Sequence, residues 1–204
     1  KPLSKGADRT PQGFWNLLAE RLAVAPDFVL GPDGKPETDI DRGQRLENEA
    51  LELTAKKLKL NLNLDPGMWV SDDNEDLAVS PDAAENTDSP TYAAEAKCLS
   101  SANHLKFVIK DQRAQRGELY RPIDSIPDGA RAAYREQVVQ YFVVNEKLEK
   151  LYFVLYDDRI ALDKYMLHVI TIERKDIEDE IEDQKQMQLE TLAEVNKLIA
   201  ELSA

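Results

Sequence analysis

The chain has 204 residues and a formal net charge of −13. That length suits one domain able to bury a core without staples. Its one cysteine, Cys98, excludes an internal disulfide and any cysteine-built zinc or iron–sulfur cage. No apolar run of about 18 residues is present to span a membrane, and no signal-peptide pattern opens the chain, so a reducing, cytoplasmic setting is expected.

Acidity of this order argues against a generic nucleic-acid coat. The charge is unevenly spread, however. Asp72, Asp73, Glu75, Asp76, Asp82, Glu85 and Asp88 share one stretch with no basic residue among them, and residues 173 to 204 hold ten acids against four bases. Residues 106 to 135 instead carry Lys106, Lys110, Arg113, Arg116, Arg121, Arg131 and Arg135 against four acids. A polyanion docks where the local field favours it, while net charge mostly sets solubility. A DNA enzyme with a confined basic surface therefore stays open.

In chain order, residues 1 to 12 are polar, hold Pro2, Gly6 and Pro11, and read as a loop. Phe14, Leu17, Leu18 and Leu22 predict a short amphipathic helix over Gly13 to Val24. Prolines and glycines make Pro26 to Asp39 a connection. Asp39 or Asp41 then caps a helix to about Leu60, with Ile40, Leu46, Ala50, Leu53 and Leu58 as its apolar stripe and Glu47 beside it. Met68 to Ser71 and Leu77 to Ser80 form a hairpin around an acidic turn. A strand follows over Tyr92 to Leu99, then a helix from Ser100 or Ser101 to about Arg116, and a loop with Gly117, Pro122 and Pro127. Ala130 to Lys147 is helical, Lys150 to Tyr156 and Tyr165 to Glu173 are strands, and a long charged helix from Lys175 or Asp176 ends the chain. The fold class expected is α/β, with a mixed central sheet of about five strands flanked by helices. One domain is expected over 1–204: an N-terminal helix and linker over 1–38, a core over 39–173 and the C-terminal helix over 174–204.

Glu95 and Lys97 stand two apart in the Tyr92 strand and so share a face, with Ala94, Ala96 and Cys98 on the other. A charged pair on an apolar strand costs folding energy unless something neutralises it. Asp82 follows Pro81 at the end of a short extended run. Mg²⁺ takes hard oxygen ligands and only a few carboxylates from a protein. Asp82, Glu95 and the Ala96 carbonyl supply such a set, Glu47 adds a third carboxylate, and Lys97 serves the attacking water or the phosphate. Read singly, each has a bland account: Glu47 as a solvated helix acid, Asp82 as a turn residue, Glu95 with Lys97 as a surface ion pair. Gln137 and Gln140 read as exposed polar residues, His104 and His168 as non-catalytic, and Cys98 as core.

Pro81-Asp82, a gap, then Glu95-Ala96-Lys97 is the pattern of the PD-(D/E)xK nucleases. Further segments resemble one of their families, the lambda-type exonucleases, also called YqaJ-type viral recombinases. The resemblance covers about residues 41 to 180. It rests on Gly43-Gln44-Arg45-Leu46-Glu47-Asn48-Glu49-Ala50, Ser80-Pro81-Asp82, Glu95-Ala96-Lys97-Cys98 and Tyr134-Arg135-Glu136-Gln137-Val138-Val139-Gln140-Tyr141, and ends with Tyr152-Phe153 through Tyr156-Asp157 to His168-Val169-Ile170-Thr171-Ile172-Glu173-Arg174. It implies a restriction-endonuclease-like core and a Mg²⁺-dependent (or Mn²⁺-dependent) 5′→3′ exonuclease on double-stranded DNA ends. It also implies a homotrimeric ring around the DNA and a single-strand annealing protein as partner in phage-type recombination within a bacterial cell. Matched residue by residue, Asp82 and Glu95 bind metal, Lys97 is catalytic, Glu47 completes the acidic site, Gln137 is the active-site glutamine and Ser80 lies near the terminal phosphate. In such a ring, the segregated charge would put Lys106, Lys110, Arg113 and Arg116 along the DNA channel. The chain departs from the family in three places. No Arg/Ser-bearing N-terminal helix for the 5′-phosphate can be placed, Gln140 follows Gln137 by three residues where the family has two, and Asn103 and His104 stand where a base is usual.

Two other functions compete on the sequence: a site-specific endonuclease on the same core, and a non-catalytic acidic protein whose C-terminal helix docks a partner.

Overall fold

The structure, a computed structural model, describes residues 11–23, 30, 34–35, 37–126, 128–129 and 132–203. Most of the expected N-terminal loop, most of the Pro26 to Asp39 connection, the expected helix start at Ala130, and Arg131 lie outside these residues.

Helix α1 (Gln12–Leu22) buries Trp15 and Ala19, with Leu18 and Leu22 packed alongside, while Phe14 and Leu17 are half exposed. The face is thus set from Trp15 rather than from Phe14. Helix α2 (Asp39–Leu58) starts from a capping box: the Thr38 hydroxyl accepts the Asp41 N–H, and the Asp41 carboxylate accepts the Thr38 N–H. It ends where Lys59 turns left-handed at φ 57°. The expected α2 stripe is half corrected. Leu46, Ala50, Leu51 and Thr54 are buried, whereas Ile40, Leu53 and Leu58 lie outside. One turn before Leu46, buried Arg42 takes the inward position. Its guanidinium donates to Asp157 at 2.6 Å and to the Cys98 and Leu99 carbonyls at 2.9 and 3.0 Å. Local spacing cannot announce an inward arginine whose acceptors come from distant segments.

The remaining elements are β1 (Leu62–Asn63), the hairpin β2 (Trp69–Val70) and β3 (Ala78–Val79), β4 (Ala83–Glu85), β5 (Tyr92–Lys97), α3 (Ser101–Ala114) and a 3-10 turn over Pro122–Ser125. A small ribbon of β6 (Asp128–Gly129) and β7 (Ala132–Ala133) leads into α4 (Tyr134–Val144), then β8 (Lys150–Tyr156), the single turn α5 (Asp163–Met166), β9 (Leu167–Glu173) and α6 (Glu178–Leu202). The central sheet runs β1-β4-β5-β8-β9. Only β5 and β8 pair in parallel, and the connection between them carries α3 and α4, the long crossover a parallel pair requires. The short strands β1 and β4 were not expected from sequence; two or three residues leave no readable alternation.

Strand alternation divides the core. Ala93, Leu151, Phe153 and Leu155 pack on the α4 side against Val138, Tyr141 and Phe142. Ala94, Ala96, Val154 and Tyr156 pack against Leu46, Ala50 and Leu51 of α2. The chain is an α/β structure with a mixed five-stranded sheet between helices and a long C-terminal helix. Among the described residues no helix is long and apolar enough to cross a membrane.

Candidate active site

Strand β4 pairs with β5 only at Ala83↔Ala94 and Ala84↔Ala93. Asp82 stands immediately before β4, where β5 continues without a partner strand on that edge. Its Oδ2 substitutes for the missing strand by accepting the Ala96 N–H at 2.8 Å. A strand residue's N–H and C=O point to the same edge, so the Ala96 carbonyl opens beside Asp82.

Glu95 projects to the α4 side and is 1 % exposed. Its Oε1 accepts from the Lys97 ammonium and, at 2.8 Å, from Gln137 Nε2; its Oε2 accepts from the Tyr141 hydroxyl. Gln137 and Tyr141 stand one turn apart on α4, a spacing that puts both on one face. The Tyr141 oxygen also lies 3.2 Å from the Ser80 carbonyl, so α4 ties together the strand acid and the segment that delivers Asp82. The Lys97 ammonium sits 5.1 Å from the centre of the Tyr134 ring. Glu47, half-buried, faces the same region from α2.

These groups share one field. Burial and then the charge of Glu95 push the Asp82 carboxyl up to about 7, with Glu47 adding to them against the Ala96 N–H and Lys97. Burial and then Glu95 raise Glu47, partly offset by Lys97. Burial alone would lower the Lys97 ammonium, but Glu95 and Asp82 hold it above its ordinary value, so it stays charged. Among the described residues no three Asp, Glu, His or Cys side chains close into a metal cage. The structure thus couples Glu47, Asp82 and Glu95 electrostatically without bringing three carboxylates to one point. What it offers a cation is the Asp82 edge with the Ala96 carbonyl, Glu95 behind it and Glu47 opposite. That is an all-oxygen set with few carboxylates, the kind Mg²⁺ or Mn²⁺ accepts while keeping water.

No protein-family model matches the chain, and no curated protein matches it in sequence. Solved structures do. The alkaline exonuclease LHK-Exo from Laribacter hongkongensis superposes with a TM-score of 0.55 at 21% identity, over 98% of this chain and 88% of that one. The fold is similar to that of LHK-Exo. The LHK-Exo structure in complex with dAMP superposes equally widely, with a TM-score of 0.56 at 20% identity. A phage-related exonuclease from Haemophilus somnus is more distant, with a TM-score of 0.47 at 18% identity over 80% of this chain and 73% of that one.

Within this LHK-Exo-like fold a cleft of about 450 Å³ opens between α2 and the end of β5, lined by Gly43, Gln44, Glu47, Lys97, Asn103 and Tyr134 among others. A larger hollow of about 590 Å³, beside the β2–β3 hairpin, is walled by Asp72, Asp73, Asp88 and Glu146. A polyanion is repelled there. Ser80 is exposed just before Pro81-Asp82. Lys106, Lys110 and Arg113 follow one another at helical spacing along α3, with Arg116 just past its end, and none of the four lines the cleft.

Other readings are settled by contacts. Gln140 faces α6, accepting from Gln184 and Gln188 at 2.9 and 2.6 Å, which takes it out of the site. Burial pushes the Cys98 thiol up to about 12, so it is inert at neutral pH. His168, read from sequence as non-catalytic, lies 2.7 Å from Oδ2 of buried Asp111. Tyr141 and Tyr134 are the site residues that sequence reasoning left without a role. Their one available signal was helical spacing from Gln137, four residues on and three residues back.

Proposed function

We propose that the chain is a metal-dependent deoxyribonuclease that removes nucleotides from one strand of double-stranded DNA ends, 5′→3′, leaving 3′ overhangs. The observation that carries this reading is the meeting of Asp82, Glu95, Lys97 and Gln137, from a turn, a strand and a helix, at the open edge of β5, with Glu47 across the cleft. The exonuclease identity of LHK-Exo, with which the fold agrees, supports it.

In this reading Asp82, Glu95 and the Ala96 carbonyl hold Mg²⁺, or Mn²⁺, and Glu47 completes the acidic site. The ion would supply Lewis acidity toward the phosphodiester and toward water. Lys97, kept charged by Glu95, stabilises negative charge on the phosphate. Gln137 and Tyr141 hold the Glu95 carboxylate in one orientation, and the Ala96 N–H does the same for Asp82. Ser80 approaches the terminal phosphate. Residues 1–204 form one nuclease domain, with 39–173 as its catalytic core and 174–204 as its C-terminal helix. We further propose a homotrimeric ring with Lys106, Lys110, Arg113 and Arg116 toward the DNA, a single-strand annealing protein as partner, and a role in phage-type recombination in the bacterial cytoplasm.

The test is nucleotide release from blunt linear DNA with Mg²⁺ or Mn²⁺, with 5′-phosphorylated and unphosphorylated ends and a closed circular control. Release from linear DNA, none from the circle, and a loss of about 10²–10³-fold in Lys97→Ala are expected. Glu95→Ala should be inactive. Cleavage of the circle would replace the exonuclease by an endonuclease; equal activity in wild type and both variants would overturn the site.

A further inference from the structure

Helix α6 has 25 residues, and burial is confined to its first part. In its first half one face, Ile181, Gln184 and Gln188, is laid against α4: Ile181 is buried, and both glutamines donate to Gln140. At about 100° per residue, that same face continues as Leu192, Val195, Ile199 and Leu202, with Leu198 at its margin. Leu192 still packs against the main core. Beyond it the face runs off the body, leaving Val195 44 %, Leu198 49 %, Ile199 56 % and Leu202 87 % exposed. Isolated exposed apolar residues are ordinary; a contiguous stripe on one helix face marks a binding surface.

The borders of the stripe say what fits. Next to Leu198 stand Glu194 and Glu201, with Glu190 behind them and only Lys197 opposing their charge. The other border is Ala193, Asn196 and Ala200, small and neutral, so a partner backbone can approach closely there. The stripe spacing of three and four residues is that of a helix-on-helix seam. A second copy packed antiparallel would set one acidic border against another, and one packed parallel would face it with the neutral border. An anionic membrane surface repels it, so none of these supplies the opposite charge.

We infer that the distal half of α6 is a docking face for an amphipathic helix of another protein, apolar on one side and bordered by lysine or arginine. This is a helix-in-groove type of recognition, with apolar anchors for affinity and the charged border for orientation. It is independent of the nuclease reading, because Val195, Leu198 and Ile199 lie outside the catalytic residues.

The experiment uses the full chain and two synthetic helical peptides with the same leucine face, one bordered by lysines and one by glutamates, titrated by fluorescence anisotropy. Expected are saturable one-to-one binding of the lysine peptide, at least tenfold weaker binding of the glutamate peptide, and at least tenfold loss in Ile199→Asp. Thermal melts and circular dichroism confirm that the variant keeps its helix; Leu198→Ser, at the stripe margin, is the milder substitute. Glu194→Lys with Glu201→Lys should reverse the peptide preference. Equal binding of both peptides, or binding unchanged in Ile199→Asp and Leu198→Ser, overturns the proposal. So does sedimentation showing that Ile199→Asp dissolves an oligomer, which would assign the face to a second copy.

Discussion

The Tyr141 hydroxyl on α4 donates to the buried Oε2 of Glu95 on β5, in the same side-chain cluster where Gln137 and Lys97 hold Oε1. A carboxylate this deep is tolerated because each oxygen is met by a donor. The same donors set which way it faces.

Tyr141→Phe removes one donor and nothing else of the ring's packing. A hydrogen bond to a charged group contributes about 1.5–3 kcal/mol, so a drop of roughly 10–100-fold in kcat is expected, with KM nearly unchanged. The melting temperature should fall as well, since Oε2 is left buried without a partner. A variant with wild-type kcat would remove Tyr141 from the site.

Asp82 couples the site to pH. Its folded value, about 7, lies above the ordinary 3.8. The stability it contributes to the metal-free fold is therefore fully present below about pH 3.8 and lost as pH rises through about 7. A cation that binds the carboxylate must displace that proton at lower pH and finds it gone at higher pH. Calorimetric Mg²⁺ titrations in buffers of different ionisation enthalpy should show proton release near pH 6, little above about pH 8, and an affinity that rises to a plateau between them. Proton release independent of pH would deny Asp82 a place on the ion.

Gly43 lies inside α2 on the cleft wall, and a Cβ there would meet no atom within 4 Å. Glycine in a helix costs roughly 0.5–1 kcal/mol relative to alanine, so Gly43→Ala should stabilise the fold by that order, read from denaturant midpoints. If DNA backbone passes close to the helix here, the same variant raises KM for DNA while sparing kcat. Stabilisation with unchanged KM would place the substrate elsewhere.

Asp111, fully buried on α3, accepts from the Tyr120 hydroxyl at 2.6 Å and Gln115 Nε2 at 2.7 Å, and pairs with His168. Burial would raise its carboxyl, but the His168 hydrogen bond, with those of Ser125 and Tyr120, outweighs it and holds the value below 3.8. Its contribution is thus present above about pH 3.8 and lost as pH falls through the lower folded value. Asp111→Asn should cost about 1–3 kcal/mol near neutral pH. Urea unfolding followed toward acid should show the gap to wild type closing below about pH 3.8.

The local pattern of the chain determined a good deal by itself. Alternation alone puts Glu95 and Lys97 on one face of β5 and Ala94, Ala96 and Cys98 on the other, where the structure has them. The long strands and helices, and with them the α/β class, follow from periods of two and 3.6 because those periods are properties of the backbone. Partnership is a different matter. Nothing near Arg42 announces that its guanidinium will be taken inward by Asp157, 115 residues away, nor near His168 that Asp111 awaits it 57 residues back. Tyr141 reads as one more apolar residue of a helix until Glu95 is folded against it. Spacing decides which side chains share a face. Which face is covered, and what meets a buried charge there, is decided only when distant segments pack.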